Sequence, residues 1–245
     1  MSIVRAASLA TAALVFAQGA TAQGAPAATS FTIRVENISR GDALKLSTGK
    51  SAPFVSAPVL WALAGEASNP LFVGGKPDAG LGLETLAETG NPGPLAGKIA
   101  SAAGVVAAGV AARPLGAAAD GPLTPGQAYE FEITASPGQA LSLAWMFGQS
   151  NDLFYSNDRP IALFDAAGKP VTGDMTAQLS LWDAGTEVNE EPGLGPNQGP
   201  RQATPDAGAA EQGSVVHVHD RFHYPRTGDV LRVTITPSAA AVSSM

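Results

Sequence analysis

The fold is decided by residues 128–147, which read AYEFEITASPGQALSLAWMF. Residues 128–134 alternate apolar and polar side chains, which is typical of a half-buried β-strand. Residues 136–139 (SPGQ) have the composition of a turn, and residues 140–147 continue as an almost unbroken apolar run. Together they predict two β-strands separated by a turn.

Shorter segments of the same kind lie on both sides of this pair. They occupy residues 31–38, 153–155, 161–165, 179–182, 215–219 and 230–236. Short strands separated by clusters of turn-forming residues are typical of an antiparallel β-sandwich. The sequence therefore predicts an all-β fold, formed by one domain that extends over residues 31–237.

Two parts of the chain depart from this pattern. Residues 53–63 are apolar but interrupted by prolines, which indicates irregular or edge structure. Residues 69–120 are rich in Ala and Gly and lack alternation, with short helical patterns at 83–87 and 95–100. We therefore expect a short helical and loop insertion around residues 75–115.

The composition is that of an acidic chain with few charged residues. Its 245 residues carry a formal net charge of −7, and only 14% of them are charged. This balance argues against binding to nucleic acid or to an anionic membrane surface. The sequence contains no cysteine, which excludes disulfides, thiolate metal sites and cysteine nucleophiles.

Residues 1–22 have the pattern of a secretory signal peptide. Arg5 precedes an apolar segment that ends in Ala20-Thr21-Ala22, a small-x-small cleavage site. The apolar segment is too short and too rich in alanine for a good membrane span. We therefore expect export to a periplasm or to the outside of the cell, with no membrane segment after cleavage. Residues 23–30 and 238–245 are expected to be flexible ends.

The predicted strand at residues 179–182 is followed by an acidic loop. Within nine residues this loop holds four carboxylates and one amide, which belong to Asp183, Glu187, Asn189, Glu190 and Glu191. Crowded carboxylates repel one another, so a cation would stabilise such a loop, and Ca²⁺ prefers oxygen ligands of this kind. A solvated acidic hairpin loop explains the same residues equally well.

Alternate loops of a sandwich gather at the same end, so the loop at residues 148–152 is expected to meet the acidic loop. This would bring Asp152, Asp183 and Glu187 together as the three carboxylate ligands of one Ca²⁺. Further candidate ligands are Asp158, Asn189 and Glu190. The spacing does not match an EF-hand.

All three histidines lie in one short segment, as His217, His219 and His223. On a strand, His217 and His219 would point to the same face. With His223 they could bind Zn²⁺ or Cu²⁺, although a polar strand face with imidazoles in water or hydrogen-bonded to Asp220 is the simpler explanation. A secreted metal-dependent enzyme or a transition-metal-binding protein is therefore the alternative to calcium binding.

Evidence for catalysis in the sequence is limited to paired carboxylates. Neither Gly-x-Ser-x-Gly nor His-Glu-x-x-His occurs. Asp152 with Asp183 or Glu190 would suit glycoside hydrolysis, but a cation site explains these residues without requiring a cleft. The three tryptophans, Trp61, Trp145 and Trp182, could form a platform for a sugar ring. However, Trp145 and Trp182 lie in apolar runs typical of a core. We predict no catalytic residue.

Two motifs in the chain resemble the spondin domain family. They are residues 146–155, MFGQSNDLFY, and residues 181–187, LWDAGTE. In that family a Pro-Ser-x-Asp-Trp-Phe-like loop and a Trp-Asp-Ala-Gly-Thr-Asp loop stand in this order. Residues 82–90, GLETLAETG, are similar to the family's short helix, and residues 233–237 are similar to its last strand. The resemblance extends over residues 31–237.

The resemblance implies a β-sandwich similar to C2 domains, with Ca²⁺ at one pole, in extracellular adhesion or matrix proteins. Asp152 and Asp183 match the acidic positions of the two motifs, and Glu187 stands where animal members have Asp. The cysteines and thrombospondin-type repeats of animal members are missing here, so the chain looks more like the bacterial single-domain members. We expect an exported, non-catalytic, calcium-binding interaction module whose partner is an extracellular protein or glycan.

Overall fold

The computed structural model describes residues 28–67 and 69–238. The predicted signal peptide at residues 1–22 lies outside the described residues, as do residues 23–27 and 239–245. None of the helices in the described ranges is long and apolar enough to cross a membrane.

The described part of the chain consists mainly of short strands. They are β1 (Thr29–Asn37), β2 (Leu44–Lys45), β3 (Ser51–Ala52), β4 (Val59–Gly65), β5 (Val105–Ala111), β6 (Ala128–Ala135), β7 (Gln139–Met146), β8 (Leu153–Asn157), β9 (Ile161–Ala162), β10 (Gly173–Asp174), β11 (Leu179–Asp183), β12 (Val216–His217) and β13 (Leu231–Pro237). The helices are α1 (Leu83–Thr89), α2 (Gly93–Ile99) and α3 (Thr227–Val230), with a 3₁₀ helix at Thr176–Gln178. The strands form an antiparallel β-sandwich, as the sequence predicts.

A four-stranded sheet in the order β10-β13-β1-β6 forms one layer of the sandwich. β1 lies between β13 and β6 and is antiparallel to both. Phe31, Ile33 and Val35 are fully buried, whereas the residues between them are only half-buried. The alternation in the sequence thus reflects one face on the core and one toward solvent. The strand begins at Thr29, two residues earlier than predicted.

A seven-stranded sheet forms the second layer, in the order β12-β11-β8-β7-β4-β5, with β9 also paired to β7. One face packs on the four-stranded sheet through Leu141, Leu143 and Trp145 of β7. The opposite face, which includes Ala144, packs against α1 and α2. β7 is therefore covered on both sides, which explains why the sequence at residues 140–147 is continuously apolar rather than alternating.

Aromatic side chains fill both sides of the seven-stranded sheet. Between the sheets, Trp145 is fully buried and stacks on Tyr155 with 5.8 Å between ring centroids. Beneath the helices, Trp182 is buried against Phe72, with 4.8 Å between centroids. The expectation that Trp145 and Trp182 are core residues is confirmed, and neither is available as a sugar platform.

The structure confirms irregular backbone for residues 53–58, which form only an isolated bridge at Ser56, but corrects the prediction for residues 59–63, which belong to β4. β4 is an inner strand, paired with β7 on one side and β5 on the other, and not an edge or irregular segment. Proline is excluded from inner strands because it lacks an amide donor, but Pro58 lies immediately before β4 and removes no bond from the ladder.

The structure confirms α1 and α2 inside the predicted insertion but adds β5, which the sequence pattern did not predict. β5 is an edge strand made only of Val, Ala and Gly, and its partner β4 supplies the large side chains. A Cβ atom at Gly109 would lie 2.6 Å from the Trp61 ring. Because Gly109 has no side chain, the Trp61 ring can lie across β5. This contact involves two separate strands, so the alternation of residues within β5 does not predict it.

Candidate metal centre

Antiparallel pairing of β8 with β11 brings the two predicted loops together. Asp183, the last residue of β11, lies opposite Leu153, the first residue of β8. Asp152 immediately precedes β8, so the two aspartates are neighbours at one end of the sheet. The Ala184 amide donates to the Asp152 carbonyl at 3.2 Å, which fixes the start of the acidic loop.

The Asp152 side chain is completely buried and only half satisfied. Its Oδ2 accepts hydrogen bonds from the backbone amides of Thr186 and Glu187, both at 3.0 Å, whereas the buried Oδ1 has no donor among the described residues. Burial raises the pKa of Asp152 to about 7, the Asp183 charge acts in the same direction, and the two amides oppose it. An ionised Asp152 therefore needs a positive partner that the described protein atoms do not supply.

Asp183 is held in place by its own loop. Its Oδ1 accepts from the Gly185 amide at 2.7 Å and its Oδ2 from Asn189 Nδ2 at 2.5 Å. Burial raises the pKa of Asp183, these two donors lower it, and its carboxyl lies within hydrogen-bonding reach of Asp152. Asn189 Oδ1 is also buried without a donor among the described residues. A buried carboxyl group in contact with a half-buried one must share a proton or a cation with it.

Asp220 is a further acid near this pair that the sequence analysis did not select as a ligand. Its negative charge raises the pKa of Asp183, and its Oδ2 accepts a hydrogen bond from the Tyr224 hydroxyl at 2.7 Å. The sequence carried no signal for this placement, because Asp220 is remote along the chain from both acidic loops.

Glu187 does not complete the predicted triad with its carboxylate. Its backbone amide donates to Asp152, but its Oε1 accepts from the Gly208 amide at 2.7 Å. Among the described residues, the carboxylates of Asp152, Asp183 and Glu187 do not converge within 4.8 Å of one another. The structure therefore brings Asp152 and Asp183 together and turns the Glu187 side chain toward a second group of acids.

That second group consists of Glu84, Glu88 and Asp206, each of which offers a carboxylate oxygen within 4.8 Å of the other two. These three residues could hold a metal ion. Burial and the close approach of the Asp206 carboxyl raise the pKa of Glu88 to about 8, and burial followed by the Asp206 charge raises the pKa of Glu84. The sequence analysis did not select these residues; the four-residue spacing of the two glutamates is a signal for a shared helix face, whereas no sequence signal points to Asp206.

Thr186 connects the two groups of acids. Its hydroxyl donates to Glu88 Oε1 at 2.9 Å and lies 3.4 Å from Asp152 Oδ2. The acids therefore form two adjacent clusters on either side of one threonine, rather than the single three-carboxylate site expected from the sequence.

The lower-ranked calcium ligands have other partners. Asp158 follows the far end of β8 from Asp152 and pairs with His217 at 3.1 Å. The Glu190 carboxylate accepts from the amide and the side chain of Asn197, at 3.0 and 2.7 Å. Of the three lower-ranked candidates, only Asn189 contacts the Asp152–Asp183 pair.

The histidines are not gathered into a ligand set. His217 packs its ring against Trp182 with 4.1 Å between centroids, His219 is exposed, and His223 lines an open groove beside Arg40 and Arg226. Within the described ranges, these histidines do not belong to any group of three ligand atoms within 4.8 Å. The proposed transition-metal triad is therefore not formed.

Comparison with known proteins adds no assignment, since no family model matches the chain and no curated protein matches it significantly. The resemblance to the spondin domain family remains a prediction that rests on the motifs at residues 146–155 and 181–187.

Proposed function

We propose that this protein is an exported, non-catalytic β-sandwich that binds Ca²⁺ between Asp152 and Asp183 and acts as an extracellular or cell-surface interaction module. The observation that carries the calcium site is the buried Asp152 carboxylate, whose Oδ1 has no donor in the described part of the chain while a second carboxylate lies against it.

The ligand chemistry favours Ca²⁺ over other metals. The available groups are carboxylate and amide oxygens, from Asp152, Asp183 and Asn189, with Asp220 nearby. Ca²⁺ takes six to eight such oxygens in irregular geometry and completes its shell with carbonyls and water, whereas Zn²⁺ and Cu²⁺ favour nitrogen and sulfur ligands.

A bound ion would organise the loops that carry these ligands. The loop at residues 148–152 ends at Asp152 and the acidic loop begins at Asp183, so a cation between these two residues would hold both polar loops in one arrangement. Ordered polar loops on a rigid sandwich are a usual location for binding surfaces. The signal-like residues 1–22 and the spondin-like motifs support an extracellular protein or glycan as the partner.

Calcium is expected to stabilise the wild-type protein through Asp183. At a calcium concentration of about 100 times the dissociation constant, one site adds about 2.7 kcal/mol, which raises Tm by about 5–10 °C relative to protein in chelator. Differential scanning calorimetry with excess Ca²⁺ and with EDTA measures this difference.

Asp183→Asn is expected to remove the share of that increase that comes from the Asp152–Asp183 site, because the amide keeps the shape of the side chain but loses the charge. Asp120→Asn, at an exposed position, is the control and should retain it. Equal melting temperatures for the wild type in Ca²⁺ and in EDTA would rule the calcium site out.

A further inference from the structure

We propose that the chain holds a second, separate Ca²⁺ site, formed by Glu84 and Glu88 of α1 together with Asp206, which fastens α1 to the loop that contains Asp206. This site goes beyond the proposed function, which concerns the Asp152–Asp183 pair.

The three carboxylates converge from two parts of the chain. Glu84 and Glu88 are four residues apart on α1 and therefore lie on one face of that helix. Asp206 belongs to the loop that returns over α1 and adopts a left-handed conformation with φ of 57°. One oxygen from each residue lies within 4.8 Å of the others, which is about the separation of two oxygens on opposite sides of a Ca²⁺ at about 2.4 Å from each.

The strongest indication of a ligand is Glu88 itself. Its side chain is 1% exposed, and its Oε2 is buried without a donor among the described residues. Its Oε1 accepts only from the Thr186 hydroxyl. A buried carboxylate that lacks donors on one oxygen and faces two other acids is costly to ionise, and a cation removes that cost.

Among the described residues, basic side chains do not form ion pairs with this cluster. Within residues 28–67 and 69–238, the ion pairs involve other acids, and none includes Glu84, Glu88 or Asp206. Glu84 and Asp206 are exposed. Their carboxylates therefore connect the buried Glu88 oxygen to solvent, and a cation can enter the site past them.

The cation class follows from the ligand atoms. All three side chains present oxygen, which favours a hard cation. Two exposed carboxylates leave room for several waters, and Ca²⁺ accepts such a mixed shell of six to eight oxygens.

The ion would strengthen a contact that the fold already makes. Gln202 Nε2 donates to the Glu88 carbonyl at 3.1 Å, so the loop after residue 200 already touches α1. Leu83 and Leu86 of α1 are fully buried in the outer cluster on the seven-stranded sheet. A cation between Glu88 and Asp206 therefore links the helical layer to the long loop around the acidic sites.

The number of bound ions tests the proposal. Chelator-treated protein is dialysed to equilibrium against Ca²⁺ raised to about 10 mM, above the range of about 10⁻⁴–10⁻³ M for extracellular modules. The wild type should bind two ions. The double variant Glu84→Gln/Asp206→Asn should bind one, and Asp183→Asn should also bind one. The control is Glu132→Gln, which changes an exposed residue of β6 in the four-stranded sheet. This variant should bind two Ca²⁺ ions.

The substituted pair in the double variant is exposed, which favours retention of the fold, and circular dichroism of each variant verifies it. If the folded double variant binds as many ions as the wild type, the second site is overturned. If the wild type binds one ion that is lost in the double variant but kept in Asp183→Asn, the second site stands and the proposed function fails.

Discussion

Replacement of Gly185 by alanine is expected to lower the free energy of unfolding by about 2–4 kcal/mol. Gly185 has a φ of 70°, and a Cβ atom there would lie 2.9 Å from the backbone of Gly213 and from the backbone nitrogen and oxygen of Ser214. The left-handed conformation costs alanine about 1 kcal/mol, and forcing an extra methyl group into a packed site costs about 1–3 kcal/mol more.

The clash is severe because backbone surrounds Gly185 and cannot rotate away. The Gly213 amide donates to the Gly185 carbonyl at 2.9 Å, and the Gly185 amide donates to Asp183 Oδ1 at 2.7 Å. A shift of this residue therefore separates the two segments and moves a proposed calcium ligand. We expect Gly185→Ala to weaken calcium binding as well as to lower stability.

Gly49→Ala separates the two causes of this effect. Gly49 has a φ of 80°, but a Cβ atom there would meet no heavy atom within 4 Å beyond its own chain neighbours, so only the conformational cost of about 1 kcal/mol applies. Urea unfolding of both variants in EDTA measures the difference. Equal losses of stability would show that the close approach of Gly185 to Gly213 does not constrain the fold.

Stability of the metal-free protein is expected to fall as the pH rises from about 4.5 to about 8. Burial raises the pKa of Asp152 from 3.8 to about 7 and that of Glu88 from 4.5 to about 8. In this pH interval the folded protein retains protons that the unfolded chain has released. The free energy of unfolding therefore decreases with each unit of rise in pH. Each pKa unit by which the folded state raises a carboxyl corresponds to about 1.4 kcal/mol of stability lost once that carboxyl is ionised.

Neighbouring acids reinforce this direction. Burial also raises the pKa values of Glu84, Asp183 and Glu187. Carboxyls with lowered pKa, such as Asp174 beside the Thr176 hydroxyl, have the opposite effect, but they act below their ordinary pKa and thus outside this interval.

Urea unfolding in EDTA at a series of pH values between about 5 and about 8.5 measures the slope. The variant Asp152→Asn/Glu88→Gln cannot titrate at the two most shifted positions and should give a much flatter profile. Saturating Ca²⁺ should flatten the wild-type profile too, because the ion replaces the protons. Stability that increases with pH in EDTA would contradict the expected protonation of these carboxyls.

The convergence of Asp152 and Asp183 illustrates how far sequence reasoning reaches toward the site. Each aspartate adjoins a short apolar strand, and alternate loops of a sandwich gather at the same end, so their meeting could be anticipated. The direction of the Glu187 side chain could not, because it depends on the amide of Gly208 in a loop that returns from elsewhere.

By itself, the sequence determined the strands whose burial is visible in their own local pattern, together with α1 and α2. The alternation at β1 and the continuous apolar run at β7 are local patterns. The first predicts burial on one face of the strand, and the second predicts burial on both faces. Tertiary structure alone decided that β4 is an inner strand, that β5 joins its edge, and that Glu88 meets Asp206. These three features depend on contacts between segments that are distant in the sequence. In each case the large side chain, the charge or the hydrogen bond comes from the other segment, so the local pattern does not show it.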